Sequence, residues 1–468
     1  MLNGKAVDFC TSAECTLTAA TIIEAMDPSV DPCEDFFQFA CGGFIEKNPI
    51  PDDESRWSQF SVLDAQLLNA LITILTEPVL ESDPLPINQA KWYYSACIDV
   101  TTLETEGVTP LEDLLIVYGG WPITMSNWDS TAFDWQEAVA AATRDLYISA
   151  LIGPWVFADE KSTNITALYI DQPSLGMPRS VLTDPENYVE RVDAYKNYIK
   201  STATIIASSL GESFDDSHYS SSIDSLVEFE MAVAALTTPS EDRRDVERMY
   251  NPMTVAELQD LTPGPTIDWV AFLSSLFADS GITIDSTSRV IVQEIQYLQG
   301  LADLLSTTEP EVLSNYILWR YVMSVGDDTN NAMRTASFEY NQVANGVTAQ
   351  SSRQDQCSGE ANDMLGMALG VPYVERYFSE QAKNESNFLV EDLRAAFKDL
   401  LDVNEWMDEE TKPLALEKAD YISKFIGYPD WYDEPNGLED YFVDLTEIMD
   451  SSTHFTNVLA TRYSTCMN

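Results

Sequence analysis

The chain has 468 residues, too many for one ordinary hydrophobic core, and 45% of them are apolar. Those figures exclude a disordered protein and predict two or more subdomains. Its 25 basic residues face 77 acidic ones, a net charge of −52 that repels phosphate backbones and anionic lipid, so nucleic acid is not an expected partner.

Cys10 and Cys15 come first, spaced C-x4-C and close enough to bridge locally. An amphipathic helix follows over Leu17 to Met26. The stretch PSVDPCEDFFQFACGGFIEKNPIPDDESRWSQF, Pro28 to Phe60, then organises the rest. Asp31 or Glu34 caps a helix carrying Cys33, Phe36, Phe37, Phe39 and Cys41, expected to stop at Gly42-Gly43. Pro49 and Pro51 keep the next segment extended, and a new helix runs from Ser58 to Thr76 with Phe60, Leu63, Leu67, Leu71 and Ile72 at helical spacing. Its longest apolar run, Leu67 to Leu75, is too short to cross a bilayer, and the opening MLNGKAVDFC lacks the apolar core of a signal peptide.

Helices are predicted over Asn88 to Thr101, Pro110 to Val117 and Asp134 to Tyr147. The period then shortens to two. Trp155 to Glu160 and Ile165 to Gln172, separated by Lys161-Ser162-Thr163-Asn164, predict one β-hairpin. Pro173 to Asp184 is a loop. Helices resume over Pro185 to Leu210, Ser217 to Leu236, Thr254 to Gln259, Trp269 to Phe277, Val290 to Ser306, Glu309 to Ser324 and Asn331 to Ala344. A polar stretch, Asn345 to Gln356, leads to Cys357. The last helices are Glu360 to Leu369, Tyr373 to Phe378, Glu385 to Val403, Asp408 to Phe425 and Leu438 to Val458. The fold class is mainly α, a multi-helix assembly with one short hairpin.

Little in the sequence carries chemistry. The two histidines, His218 and His454, sit in SHYS and THFT, and neither begins H-E-x-x-H. No G-x-S-x-G, P-loop or Cys/His pair at catalytic spacing appears. Gly326-Asp327-Asp328-Thr329-Asn330 reads as a turn or cap rather than a calcium loop, and Glu241-Asp242-Arg243-Arg244-Asp245 as capping and ion-pair contacts. Seven cysteines and two sequons, at Asn164 and Asn384, favour an oxidising, extracellular setting with N-glycosylation.

Four segments carry a resemblance. DPCEDFFQFACGGF (31–44), QPSLGMPR (172–179), FEMAVAALTTPSEDRRDVERMYNPMTVAEL (229–258) and MDEETKPLALEKADYISKFIGYPDW (407–431) resemble, in order, motifs of the neprilysin-like M13 zinc metallopeptidases, relatives of the endothelin-converting enzymes. The resemblance implies an N-terminal region only. Residues 1–60 would be a Cys-rich segment that packs on the catalytic lobe, 61–440 the helical M13 N-terminal domain, and 441–468 a divergent tail. By the same resemblance Arg56 reaches the peptide cleft and Phe60 lines it, so both are candidate substrate-binding residues. Ser61 and Asp64 depart from the family at neighbouring positions, and Asp64 reverses a charge.

The resemblance also implies a Cys97–Cys357 disulfide. It implies that Cys33 and Cys41 bridge to the catalytic domain, and Cys466 lies in the tail where the resemblance stops. Eight residues of helix would hold Cys33 and Cys41 about 12 Å apart, beyond disulfide reach of each other, so they are expected to stay free, to pair with Cys466 or to cross-link two chains. H-E-x-x-H, the downstream glutamate ligand and N-A-[FY]-Y do not occur in these residues. No catalytic residue, metal ligand or cofactor is therefore assigned within this chain, and zinc is expected only in the absent catalytic domain. The expected function is a portion of a zinc metalloendopeptidase acting on small extracellular peptides, inactive alone. Its expected partners are small peptides and a catalytic M13 lobe, or another chain, through the Cys33/Cys41 surface. The alternative is a stand-alone secreted protein that binds peptides or a partner without cleaving them.

Overall fold

The computed structural model describes residues 10–264, 266–278, 280–445 and 449–467, the last three of these without side chains, so the Cys466 thiol lies outside the described residues. Two units are present. The first comprises residues up to Leu67 together with Asn345–Ser351, and the second comprises Leu68–Ala344 and the chain from Ser352 onward.

In the first unit, Ser12 caps the helix Ala13–Ala25 by accepting from the Cys15 amide at 3.2 Å, and Cys10–Cys15 is a disulfide. Asp35, rather than Asp31 or Glu34, caps the next helix, Phe36–Lys47. That helix does not stop at Gly42-Gly43 but runs through it. The glycines serve close packing: a Cβ on Gly43 would lie 2.5 Å from the Glu24 carbonyl oxygen and 2.6 Å from that of Met26. The Asp27 amide donates to the Phe39 carbonyl at 2.8 Å, and Lys47 Nζ to the Glu24 carbonyl at 3.2 Å, locking the two helices together. Cys33 sits in the turn before the helix, so the helical spacing expected between it and Cys41 does not exist, and both thiols are free. The amides of Thr348 and Ala349 donate to the Asp52 carbonyl at 2.7 and 2.9 Å, which ties Asn345–Ser351 to this unit.

The second unit is mainly helical. Its centre is the helix Pro310–Val325, apolar on nearly every side, with Tyr316, Ile317, Leu318, Trp319, Tyr321 and Val322 fully buried. Trp319 stacks on Trp121 at 6.3 Å between ring centres, meets Tyr195 and Tyr198 edge-on, and donates from Nε1 to Tyr195 Oη at 2.7 Å. The Cys97–Cys357 disulfide joins the helices Leu85–Ile98 and Arg353–Tyr377.

The hairpin forms, as strands β1 (Gly153–Asp159) and β2 (Ser162–Asp171). It belongs to a larger sheet with β3 (Asn251–Thr254) and β4 (Arg289–Val292), in the order β1-β2-β4-β3, with β2 and β4 parallel. The helix expected from Val290 therefore begins only at Ile295. Val290, Ile291 and Val292 are β-branched and fully buried, and the sheet covers them where a helix would leave part of the run exposed. Asp99 splits the helix expected over Asn88 to Thr101, by capping Val100–Glu106. The polar stretch before Cys357 already enters the helix Arg353–Tyr377, capped by Ser352 and kinked at Leu365.

The single helix expected over Leu438 to Val458 is broken into Gly437–Tyr441, a 3-10 turn at Val443–Leu445, and a separate helix His454–Met467. Asp450, accepting from the Ser452 amide and hydroxyl at 2.6 and 2.7 Å, builds a turn there. Among the described residues no helix is long and apolar enough to cross a membrane.

Candidate functional site

Arg56 and Phe60 both reach solvent in the first unit. Arg56 is exposed in the coil before the helix Gln59–Leu75. That helix starts with a reciprocal pair: the Ser58 amide donates to the Ser61 hydroxyl at 3.1 Å and the Ser61 amide to the Ser58 hydroxyl at 3.3 Å. Ser61 thus has a local capping role. Phe60 in the first turn is 79% exposed, and Leu63, one turn on, is exposed beside it. Phe36, Phe37, Ile45 and Ile50 of the same unit are exposed too. Burial, with the charge of Asp53, raises the Glu54 carboxyl, while the Arg56 guanidinium opposes that rise. The stretch therefore presents a cation, Arg56, and an apolar side chain, Phe60, for a ligand to contact.

Two other family-like segments meet in the second unit. A cleft of about 490 Å³ is lined by Gln172, Leu175, Met177, Arg179, Thr238 and Arg243 among others. Gln172 pairs both ways with the Thr238 backbone, at 3.1 and 2.8 Å. Arg179 Nε donates to Thr237, and the Gly176 amide donates to buried Glu230 at 2.6 Å. Arg243 binds Asp171 at 2.6 Å and Glu294 at 3.3 Å, and Arg248 adds 2.9 Å to Glu294. The 241–245 cluster thus makes ion pairs and, through Asp245, a helix cap. The walls satisfy one another, which is how a structural junction is built.

Sequence reasoning missed a third cluster. The turn Gly326–Asp328 places Asp328 at the end of the central helix, Arg353–Tyr377 supplies Glu360, and the last helix begins with His454. His454 Nε2 lies 3.1 Å from Asp328 Oδ1 and 3.9 Å from Glu360 Oε2, and the ring is 1% exposed. Tyr93 packs edge-on against the imidazole, ring centres 5.2 Å apart. Cys97 Sγ is 3.6 Å from Glu360 Oε2, but its bond to Cys357 leaves it no thiolate to offer. Burial, then the charge of Asp328, pushes the Glu360 carboxyl up to about 8. Burial likewise pushes Asp327 up to about 7. The only sequence-level hint was negative: His454 lies in the segment where the resemblance ends.

The histidines do not fit the zinc site of an H-E-x-x-H helix. His218 stacks on Phe214 and its Nε2 lies 3.1 Å from the Ile123 carbonyl, while His454 sits on a different element with different partners. No step through such a zinc is derived from these residues. Both sequon asparagines, Asn164 and Asn384, are exposed.

A sequence model described as Peptidase family M13 matches residues 32–429. The chain is 34% identical to Neprilysin-1 of Trittame loki over 438 residues, covering 93% of this chain and 60% of that protein. It is 32% identical to Endothelin-converting enzyme 1 of Bos taurus over 446 residues, covering 94% and 57%. The chain thus spans little more than half the length of these curated relatives. Among solved structures, its fold is similar to the Mycobacterium tuberculosis zinc metalloprotease Zmp1 in complex with inhibitor, with a TM-score of 0.74 and 22% identity, covering 94% of this chain and 63% of that one.

Proposed function

The chain belongs to peptidase family M13, and from that premise we propose that it is the N-terminal portion of a neprilysin-like zinc metalloendopeptidase of small extracellular peptides. It contributes substrate contacts rather than the reacting groups. The observation that supports this most directly is the apolar surface left open. On the helix Glu380–Asp402, Phe388, Leu389, Leu393, Phe397 and Leu400 are exposed, and beyond it Trp406 is 80% and Phe425 94% exposed. Faces of this kind mark contact with another protein surface. We assign the occupant as a catalytic M13 lobe, which also covers Phe36 and Phe37.

In this reading Arg56 holds a carbonyl or carboxylate of the bound peptide through paired hydrogen bonds, and Phe60 lines an apolar subsite. Asp64, whose charge like that of Arg56 is felt at the Glu54 carboxyl, adds negative charge to this stretch, favouring peptides without a second anionic group. With no H-E-x-x-H in residues 1–468, the chain alone is inactive and the zinc chemistry belongs to the lobe. Asn164 and Asn384 carry glycans in the extracellular setting.

The test is a fluorogenic-peptide assay on the full chain, alone and mixed with the separately produced catalytic lobe of an M13 relative. The expected result is no turnover alone and a stable complex with the lobe. In that complex Arg56→Gln and Phe60→Ala each raise KM about tenfold, the loss of one charge-assisted bond or one apolar contact. Chelator-sensitive turnover by the chain alone would overturn the proposal. Peptide binding by the chain without any affinity for the lobe would favour a stand-alone binding protein instead.

A further inference from the structure

We propose that Asp328, Glu360 and His454 form a site for one divalent transition-metal cation of the zinc and cobalt class. Three separate elements bring the donors together, and His454 falls outside the 32–429 segment matched by the family. The last helix must therefore be in place for the site to form.

The spacing is right for a small ion. Tetrahedral zinc with nitrogen and oxygen ligands at about 2.0–2.2 Å holds its ligand atoms about 3.3–3.5 Å apart. The distances from His454 Nε2, 3.1 Å to Asp328 Oδ1 and 3.9 Å to Glu360 Oε2, lie on either side of that figure. Both carboxylates thus reach within 3.9 Å of the one imidazole nitrogen, and Glu360 closes toward it when an ion is shared with Asp328. An imidazole with two carboxylates favours Zn²⁺, Co²⁺ or Mn²⁺ over Ca²⁺ and Mg²⁺, which prefer oxygen alone.

One further observation points to a ligand. Gln356 Nε2 donates to Glu360 Oε1 at 2.8 Å and leaves Oε2 facing the imidazole, the outer contact that orients a ligating carboxylate. The Glu360 side chain keeps 26% of its exposure, which gives an ion a way in. Arg353 lies close, its Nε donating to the Cys97 carbonyl at 2.8 Å, and its charge weakens the hold on a cation. The site is thus weaker than a Cys-rich zinc site. A bound ion joins the last helix to the central helix's terminal turn and to the disulfide-linked helix, a structural role.

The experiment uses the full chain, stripped with chelator and then kept in excess Mg²⁺ so that exposed carboxylates are occupied. Co²⁺ is titrated and its visible absorption recorded, then displaced with Zn²⁺. The expected result is one equivalent bound with the intense spectrum of four-coordinate cobalt. Glu360→Gln and His454→Asn each weaken binding at least about tenfold, and His218→Asn does not. If circular dichroism shows His454→Asn misfolded, Glu360→Gln decides alone. Absence of the cobalt spectrum overturns the proposal. Binding that Glu360→Gln leaves unchanged also overturns it, as adventitious metal on an acidic surface only.

Discussion

Replacing Gly43 by alanine should destabilise the first unit, while the same change at Gly359 should stabilise the second. Both glycines lie inside helices, where alanine is intrinsically better by about 1 kcal/mol. At Gly359 nothing lies within 4 Å of the added carbon, so the intrinsic gain should appear nearly whole. At Gly43 the carbon would meet three backbone atoms: the carbonyl oxygens of Glu24 and Met26 at 2.5 and 2.6 Å, and the carbonyl carbon of Ala25 at 3.2 Å. None of these can turn aside as a side chain can. Relief requires the two helices to part, which strains the Lys47–Glu24 and Asp27–Phe39 hydrogen bonds. Overpacking costs about 1–3 kcal/mol and each weakened hydrogen bond about 1 kcal/mol more. After subtracting the propensity gain, Gly43→Ala should cost roughly 2–4 kcal/mol. The assay is urea unfolding in a Cys33→Ser, Cys466→Ser background, following chemical labelling of the half-buried Cys41 to isolate the first unit. A Gly43→Ala protein as stable as the parent, or a loss of the same size at Gly359, would refute the close-packing argument.

Three other outcomes are expected. Replacing Cys97 and Cys357 together by alanine removes a link between residues 260 apart, a loop whose closure is worth roughly 5 kcal/mol as an upper figure, so the urea midpoint should fall markedly; an unchanged midpoint would show that the denatured chain stays compact without it. Glu230 is fully buried and its carboxyl is raised by burial above 4.5, so the folded state holds its proton to higher pH than the unfolded state. Its contribution is therefore present at low pH and fades as pH climbs from about 4.5 through the raised value, and Glu230→Gln should flatten that decline in thermal melts; parallel pH curves would contradict this. Glu294 accepts from Arg248 at 2.9 and 3.0 Å and from Thr238 at 2.8 Å, so Glu294→Ala should cost about 2–4 kcal/mol, against a loss under about 0.5 kcal/mol if solvent screens the pairs.

Much of the local structure was legible from residues near in sequence. The helix predicted from Asp134 forms as Trp135–Leu146, with Asp134 accepting from the Gln136 and Glu137 amides. Thr254 and Glu257 form a full capping box at the start of the predicted helix there. The alternation from Trp155 to Gln172 specified the hairpin, and ordered motifs spanning most of the chain specified the family. The caps are decided by atoms within about four residues and the hairpin by alternation along two neighbouring segments, so the sequence by itself determines them.

What the tertiary structure decided has the opposite character. Val290 to Val292 could serve a buried helix or a buried strand, and only the arrival of β2 beside them made the choice. Gly42-Gly43 could end a helix or admit a neighbour, and the carbonyls of Glu24 and Met26 settled which. Asp328 and His454 lie 126 residues apart and share no periodicity, yet burial sets them 3.1 Å from each other. A composition of 77 acidic residues hides three or four special carboxylates among many solvated ones. What distinguishes Asp328, Glu360 and Glu230 from the rest is desolvation and the groups they face, properties of the packed chain that exist at no single position along it.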